Sequence, residues 1–257
     1  MSIDPRAAIS AEAQLAADVE VGPFAVIGPG VVIGAGCRIG PHTVINGPTV
    51  MGEGNRVFQF ASIGDDPQDM KYRGEPTRLV IGARNTFREY VSINRGTVTG
   101  AGETRIGNDN LILAYSHVAH DCVLGDHIIM SNAVNLAGHV EVGDWAILSG
   151  YAGAHQFCRI GAHAFIANNT AVLQDIPPYV LAAGQPAGPR AVNVEGLKRR
   201  GFTEDQMRAI RNAFRVLYRS DLPLAEATAQ VLEMAREQPA LGILLDFLRG
   251  STRGLAR

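Results

Sequence analysis

Five of the seven histidines in this 257-residue chain fall between residues 117 and 155, and four of these, His117, His120, His139 and His155, are the candidates for chemistry. Imidazole titrates closest to neutrality of all side chains, so it suits proton transfer at a reacting hydroxyl. Asp121 follows His120 and is a candidate to orient its ring, although neighbours on a strand point to opposite sides. Gly138 comes eighteen residues after His120. A glycine lets substrate approach the backbone closely enough for its N–H to stabilise an oxyanion. A base for a hydroxyl and a donor for a tetrahedral oxyanion together describe acyl transfer. The leaving group of a thioester is a thiolate of pKa about 8.5, so no strong protein acid is required.

The interval of eighteen gains its meaning from the elements that must position these residues. A hydrophobic residue recurs every sixth position from Ile3 to Ile63, again at Ile81, Phe87 and Ile93, and from Ile106 to Val172, twenty-six anchors in all. A period of six fits neither a helix nor a simple strand and is the signature of a parallel β-helix. Three hexads make one triangular coil, so residues eighteen apart stack about 4.8 Å from one another. His120, Gly138, Gln156 and Gln174 form one column and Asp121, His139 and Phe157 the next, with His117 and His155 close by. Glycine often follows the anchor, as at Gly22, Gly34 and Gly40, which predicts tight corners with positive φ there. The fourth position after the anchor is small or β-branched, as at Ala25, Thr43 and Ala146, and should face the interior. Cys37, Cys122 and Cys158 share that slot and are odd in number, so they read as buried fillers rather than disulfides, with Cys122 as nucleophile the alternative.

Two polar, glycine-containing segments interrupt the repeat, 64–80 and 94–105, and should loop out of the prism as functional excursions. The hexads stop after Val172, and Pro177-Pro178 marks a transition. The chain therefore divides into a prism, 1–186, and a helical domain, 187–257. Thr203-Glu204-Asp205-Gln206 is a capping box that predicts a helix to about Arg219 with Met207, Ile210, Phe214 and Leu217 on its apolar face. Further helices should begin near Leu222-Pro223 and near Pro239. Arg208, Arg211, Arg215 and Arg219 form a basic stripe on the first of these helices, and residues 196–257 carry a net charge of +4 against −6 for 1–195. Such a face is either simply solvated or a docking surface for an acidic partner. Nucleic acid is a poor fit, because the stripe lacks interleaved aromatics and the whole chain is slightly acidic.

Asp4 and Arg6 lead directly into hexads rather than a leader peptide, and no apolar run approaches the roughly 20 residues that span a bilayer. A cytoplasmic protein without stable membrane insertion is the expectation. The face of a prism is flat, so a cleft needs a second prism beside it, which threefold closure supplies symmetrically.

Beyond the period, particular strings are informative: Q-D-M-K-Y-R-G-E-P-T-R (68–78), H-V-A-H-D-C (117–122), L-A-G-H-V (136–140), H-Q-F-C-R-I-G-A-H (155–163), N-V-E-G-L-K-R-R-G-F (193–202) and S-T-R-G-L-A-R (251–257). Through them the chain resembles, over essentially its whole length, the UDP-N-acetylglucosamine O-acyltransferases that begin lipid A and hence lipopolysaccharide synthesis in Gram-negative bacteria. The resemblance implies a left-handed parallel β-helix followed by a C-terminal α-helical domain. It also implies a homotrimer and transfer of an (R)-3-hydroxyacyl group from acyl carrier protein to the 3-position of the UDP-sugar. By motif, His120 corresponds to the general base and Gly138 to the oxyanion donor. Asp69, Lys71, His117 and His139 correspond to sugar contacts. Gln156, Asn193, Glu195, Arg199 and Arg200 correspond to contacts with the nucleotide, its phosphates or the acyl-pantetheine. The arginine stripe then faces acyl carrier protein, which brings its own phosphopantetheine, so neither a metal nor a free cofactor is implied.

Three positions depart from the family pattern. Asn94 stands where relatives have His, Asn168 where long-chain members have Gly at the end of the acyl groove, and Gln185-Pro186 where an Asn-His pair is usual. Asn168 as an acyl-chain ruler should favour a shorter acyl chain. Competing readings are another hexapeptide acyltransferase, using acetyl-CoA or forming an amide, a trimeric zinc carbonic anhydrase, and a non-catalytic scaffold. The zinc reading lacks an upstream ligand, since Ile81 to Asn94 contains no histidine.

Overall fold

The computed structural model describes residues 2–257; Met1, with which the first sequence-drawn domain begins, lies outside them. Most hexads form a short strand that ends on its anchor, such as Val26–Ile27 or Leu111–Ile112. Strands one coil apart pair in parallel, Ser2 with Glu20 and Ile129 with Ile147. Three sheets result, which we number in the order the chain enters them. The anchors point inward and fill the core: Ile27, Ile63, Ile93, Ile112 and Leu136 are all fully buried. Each buried aliphatic side chain of this size stabilises the prism by about 1.5–3 kcal/mol.

Positive φ does not occur at the glycines that follow the anchors, apart from Gly64 at the stem of the first excursion. It falls three residues after the anchor, at Phe24, His42, Asp121, His139 and Phe157 among many others, with φ near 60°. The glycine after the anchor is needed for close stacking instead. A Cβ on Gly34 would lie 2.7 Å from the carbonyl carbon of Gly52, and one on Gly40 would lie 2.7 Å from the backbone nitrogen of Gln59. The position between these two leaves its N–H outside the ladder, and Pro23, Pro29 and Pro41 occupy it without loss of a hydrogen bond. The fourth-position slot is interior as expected. Cys37, Cys122 and Cys158 are free and buried there, and burial pushes the Cys122 thiol up to about 12, which removes it as a nucleophile.

Both excursions are shorter than the pattern suggested. Ser62–Asp65 pairs with Ser92–Asn94, and Arg78–Ile81 pairs with Glu103–Ile106, so the looped segments are 66–77 and 95–102. The prism also continues past Val172. Ile176 bridges in parallel to Ile160, and Val180–Ala183 pairs with Phe165–Ile166, although the six-residue spacing has lapsed.

An antiparallel hairpin, Val180–Ala183 with Gly188–Val192, straddles the boundary drawn at 186/187 and leads into helices. Helix α1 (Val194–Arg199), capped by Asn193, has no counterpart in the sequence reading, being too short to show a periodic face. Helix α2 (Glu204–Tyr218) carries the expected reciprocal capping box between Thr203 and Gln206. Helix α3 (Leu224–Glu237) starts at Pro223, and a 3₁₀ turn at Pro239–Leu241 opens helix α4 (Gly242–Gly250). Met207, Ile210, Leu217, Val231 and Leu244 form a second core, with Phe214 partly buried against it. The C-terminal tail then returns to the prism: the Ser251 hydroxyl donates to buried Asp175 at 2.7 Å, and Asp175 bridges to Leu255. Among the described residues no helix is long and apolar enough to cross a membrane.

Candidate active site

Both excursions leave the prism at one corner, where the chain passes from the second sheet to the third. Asp121, His139 and Phe157 occupy that same corner on successive coils. The His139 N–H donates to the His120 carbonyl and the Phe157 N–H to that of Gly138, which fixes the stacking of the two columns.

His120 and Asp121 do meet. They sit on the turn rather than a strand, and φ of 60° at Asp121 swings its carboxylate to the side of its neighbour, with Nδ1 of His120 2.9 Å from Oδ2. The carboxylate is only 2% exposed and is enclosed by the second excursion. The Thr97 hydroxyl donates to Oδ2 at 2.6 Å and the Thr97 N–H to Oδ1 at 3.0 Å, while the Asp121 N–H donates to Thr104 Oγ1 at 2.8 Å. Burial pushes this carboxyl up, but the donors from His120 and Thr97 outweigh it and hold Asp121 below the usual carboxylate range. An ionised carboxylate only accepts, so the shared proton belongs to His120 Nδ1, and Nε2 keeps its lone pair.

Gly138 is necessary for that ring. A Cβ there would lie 2.5 Å from Cε1 and 2.8 Å from Nε2 of His120. The Gly138 N–H lies in the position that the prolines occupy elsewhere and has no acceptor among the described residues. His139 stands edge-on to His120 at 5.2 Å and stacks on Phe157 at 4.4 Å; burial lowers its pKa, partly offset by Asp121. His117 shares a 2.8 Å hydrogen bond with Ser92, and burial lowers its pKa too, so both rings are neutral at pH 7.

An open groove of about 520 Å³ runs along the second sheet from Gln68, His117 and His120 past Gly138 and Gly153 to Ala171 and Leu173. Its floor is largely glycine and alanine, and it is long rather than deep. Around the corner a second groove of about 510 Å³ is lined by Asp121, His139, Phe157 and Thr252. Grooves beside α4 and along the N-terminal coils contain no histidine.

The remaining sequence candidates distribute unevenly. Asp69 is half-buried in the first excursion, accepting from the Lys71 N–H at 2.9 Å, and contributes to the field at His139; Lys71 is exposed. Gln156 is exposed in the Gly138 column. Asn168 is exposed beside Gly150 and is not part of the groove wall of this single chain. Asn193 is buried at a different corner, between the third sheet and the first, where its amide donates to the His163 carbonyl at 2.9 Å and caps α1. Glu195 and Arg199 are exposed on α1, and Arg200 lies over the Trp145 ring at 5.2 Å. On α2, Arg208 and Arg211 pair with Asp205 and Glu204 and Arg215 donates to Asn212 Oδ1, leaving a partly neutralised stripe that ends at exposed Arg219. Asn94 turns away from the groove, and its amide donates to the Asp66 carbonyl at 2.7 Å, while the Gln185 amide donates to the Asn169 carbonyl at 2.9 Å. Thr97, Gln68 and Ser92 were not singled out by sequence. Ser92 was within reach, since it pairs with His117 once the excursion is subtracted; Thr97 sits in a loop that no period describes.

Ligand atoms of His120, Asp121 and His139 lie within 4.8 Å of one another, as a metal site would require. The Asp121 oxygens, however, already accept from Thr97 and His120, which suits a histidine orienter better than a ligand.

Comparison with known proteins bears on all of this. Residues 12–47 match the bacterial transferase hexapeptide family, and residues 175–256 match the family described as UDP N-acetylglucosamine O-acyltransferase, domain 2. The acyl-[acyl-carrier-protein]–UDP-N-acetylglucosamine O-acyltransferase of Stutzerimonas stutzeri is 51% identical over 255 residues, 99% of each chain, and that of Ectopseudomonas mendocina 52% over 256 residues, 100% of this chain and 99% of the relative. Among solved structures, the UDP-N-acetylglucosamine acyltransferase of Francisella novicida superimposes with a TM-score of 0.98 at 44% identity, covering 99% of this chain and 94% of its own. The Arabidopsis enzyme of that name gives 0.84 at 33%, covering 99% and 100%. The prism is thus the left-handed parallel β-helix of these structures.

Proposed function

From the premise that this chain belongs to the UDP-N-acetylglucosamine O-acyltransferase family and is an acyltransferase, we propose that it moves an (R)-3-hydroxyacyl group from acyl carrier protein to the 3-hydroxyl of UDP-N-acetylglucosamine, the step that opens lipid A biosynthesis. His120 Nε2 takes the proton of the sugar hydroxyl as that oxygen attacks the thioester carbonyl. Asp121 holds the ring and stabilises the imidazolium that forms, and the Gly138 N–H meets the oxyanion. The tetrahedral intermediate then expels the pantetheine thiolate, which takes the proton back from His120. The observation that carries this reading is one juxtaposition: an Asp-held histidine packed on a glycine whose N–H is free, at the mouth of a glycine- and alanine-floored groove.

Asp69 and Lys71 of the first excursion, with His117 and His139, take the sugar, and the groove takes the acyl chain. The acyl donor carries phosphopantetheine on its protein, so the chemistry asks for no metal or separate cofactor. Asn193, Glu195, Arg199 and Arg200 belong to another corner of the prism. A neighbouring copy in a homotrimer brings that corner to the His120 site, so that the nucleotide and pantetheine are held between subunits. Gln156 lies close enough in the Gly138 column to join them. The stripe from Arg208 to Arg219 receives the acidic carrier protein, and the enzyme works in the cytoplasm, where that carrier is found.

The test is a turnover assay with UDP-N-acetylglucosamine and 3-hydroxyacyl carrier proteins of graded chain length, wild type beside His120→Ala. We expect transfer in the wild type and a loss of about 10²–10⁴-fold in the variant with the oligomer retained. Asn168→Gly should move the optimum to longer chains; an unchanged optimum removes Asn168 as the ruler. Transfer to a 3-amino analogue but not to the 3-hydroxyl sugar would replace ester formation by amide formation.

A further inference from the structure

A base, its carboxylate and an oxyanion donor do not require the prism to be opened twice at one corner. We propose that the second excursion is a brace coupling the acceptor-binding first excursion to the catalytic pair, with Thr97 the positioning residue for His120–Asp121 and Arg95 the positioning residue for the loop; this rests on the acyl-transfer reading above. The Arg95 side chain is 9% exposed. Its Nη1 donates to the Gly64 carbonyl at 2.7 Å, and its Nη2 to the Asp66 carboxylate and the Tyr72 hydroxyl, the last at 3.2 Å. These three acceptors span the stem and body of the loop that carries Asp69 and Lys71.

Two residues further on, Thr97 supplies both its N–H and its hydroxyl to Asp121. Gly96 joins the two contacts where the chain runs close to the far stem of its own loop, since a Cβ there would lie 2.2 Å from the Glu103 nitrogen. Gly100 closes over the carboxylate, with room for no Cβ beyond 2.4 Å from Oδ1, so Thr97 rather than solvent is its donor. On the loop side the brace is not fully satisfied: Arg95 Nε and Asn94 Oδ1 are buried without partners. Unpaired buried polar atoms are unfavourable, so closure of the first excursion on an acceptor that brings them partners also tightens the segment holding Asp121.

The experiment uses the full chain with UDP-N-acetylglucosamine and a 3-hydroxyacyl carrier protein, with initial rates across pH 5–9. Thr97→Val should lower kcat about tenfold, the worth of one hydrogen bond to a charged group, and leave the sugar-nucleotide KM within about twofold. Its acid limb should move to higher pH, because Asp121 loses a donor. The other groups facing His120 are His117 and His139, with Asp69 acting on His139, and Arg95 and Asp66 complete the brace. Thr97→Ser should restore both kcat and the limb. Arg95→Lys should raise the sugar-nucleotide KM severalfold. If Thr97→Val does not fold, Thr97→Ala is the second variant, with the same expectation. A Thr97→Val enzyme with wild-type kcat and pH limb overturns the inference, as does equal impairment of the Val and Ser variants. His120→Ala in the same assay separates the layers: if it is inactive while Thr97→Val is normal, only the brace fails, and if it turns over normally, the base and the brace fall together.

Discussion

Two corners of this prism share one backbone and do different work. At the corner between the first sheet and the second, the left-handed residue is Phe24, His42, Phe60, Tyr90 and Tyr115 on successive coils, each ring stacked on the next at 4.8–5.3 Å. At the corner between the second sheet and the third, the same position holds Asp121, His139 and Phe157, with φ in the same narrow range, and both excursions leave from it. The ladder ends at Tyr115, on the coil where His120 and Asp121 begin. A corner side chain on a solenoid projects outward whatever its chemistry, so the fold accepts aromatics for cohesion or an acid and a base for catalysis. What converts a corner into a site is the added loop: Thr97 and Gly100 bury a carboxylate that would otherwise stand in water.

The sharpest way to break the comparison is to close the space that only the second corner needs. Gly138→Ala places a methyl carbon where 2.5 Å separates it from His120 Cε1, so the ring must move off its position over the free N–H. We expect kcat to fall by about 10²-fold or more, with little change in thermal stability. Retained activity would mean that His120 has another productive position and that Gly138 is not the oxyanion donor.

A smaller effect concerns Asp121. Its carboxyl is held below the unfolded value of about 3.9, so it contributes stability that is fully present above pH 4 and is lost as pH falls through the folded value. Wild type should therefore lose Tm on acidification from pH 5 to 3 more steeply than Asp121→Asn. Melting curves at each pH decide this, and parallel slopes would remove the linkage.

The repeat was legible because its cause is uniform: every anchor meets the same interior, so Ile, Val, Leu and Met recur where only volume and apolarity matter. The interior slot for Cys37, Cys122 and Cys158 followed from the same count. The left-handed position did not, because its occupants include Phe, His, Arg, Asp, Asn, Trp, Tyr, Ala and Gly, and no common chemistry marks a corner that faces solvent. Asp121 is the case in point: a strand would point it away from His120, whereas the corner brings the two side chains to 2.9 Å. The stacking of Gly138 over His120 was legible from the interval of eighteen. Thr97 and Arg95 were not, since the excursion that holds them has no period and their partners lie 24 and 29 residues away in sequence. By motif Asn193 corresponds to a ligand contact; its amide also caps α1 and binds the His163 carbonyl, a fold role that motif matching alone does not reveal.

The mildest prediction tests whether the aromatic corner is only cohesive. Tyr90 stacks on Phe60 at 5.3 Å and on Tyr115 at 4.8 Å while remaining 46% exposed, so its value lies mainly in the two ring contacts. Tyr90→Ala should lower stability by about 1 kcal/mol, read as a shift in the urea midpoint, and leave kcat and both KM values unchanged. Tyr90→Phe keeps the stack and should behave as wild type. The reason to expect so local an effect is the architecture: each coil pairs only with its neighbours, so losing one rung of the ladder leaves the pairing of Ser92 with His117 and the packing around Asp121 intact. A fall in kcat for Tyr90→Ala would show that the two corners are mechanically linked through the coil they share.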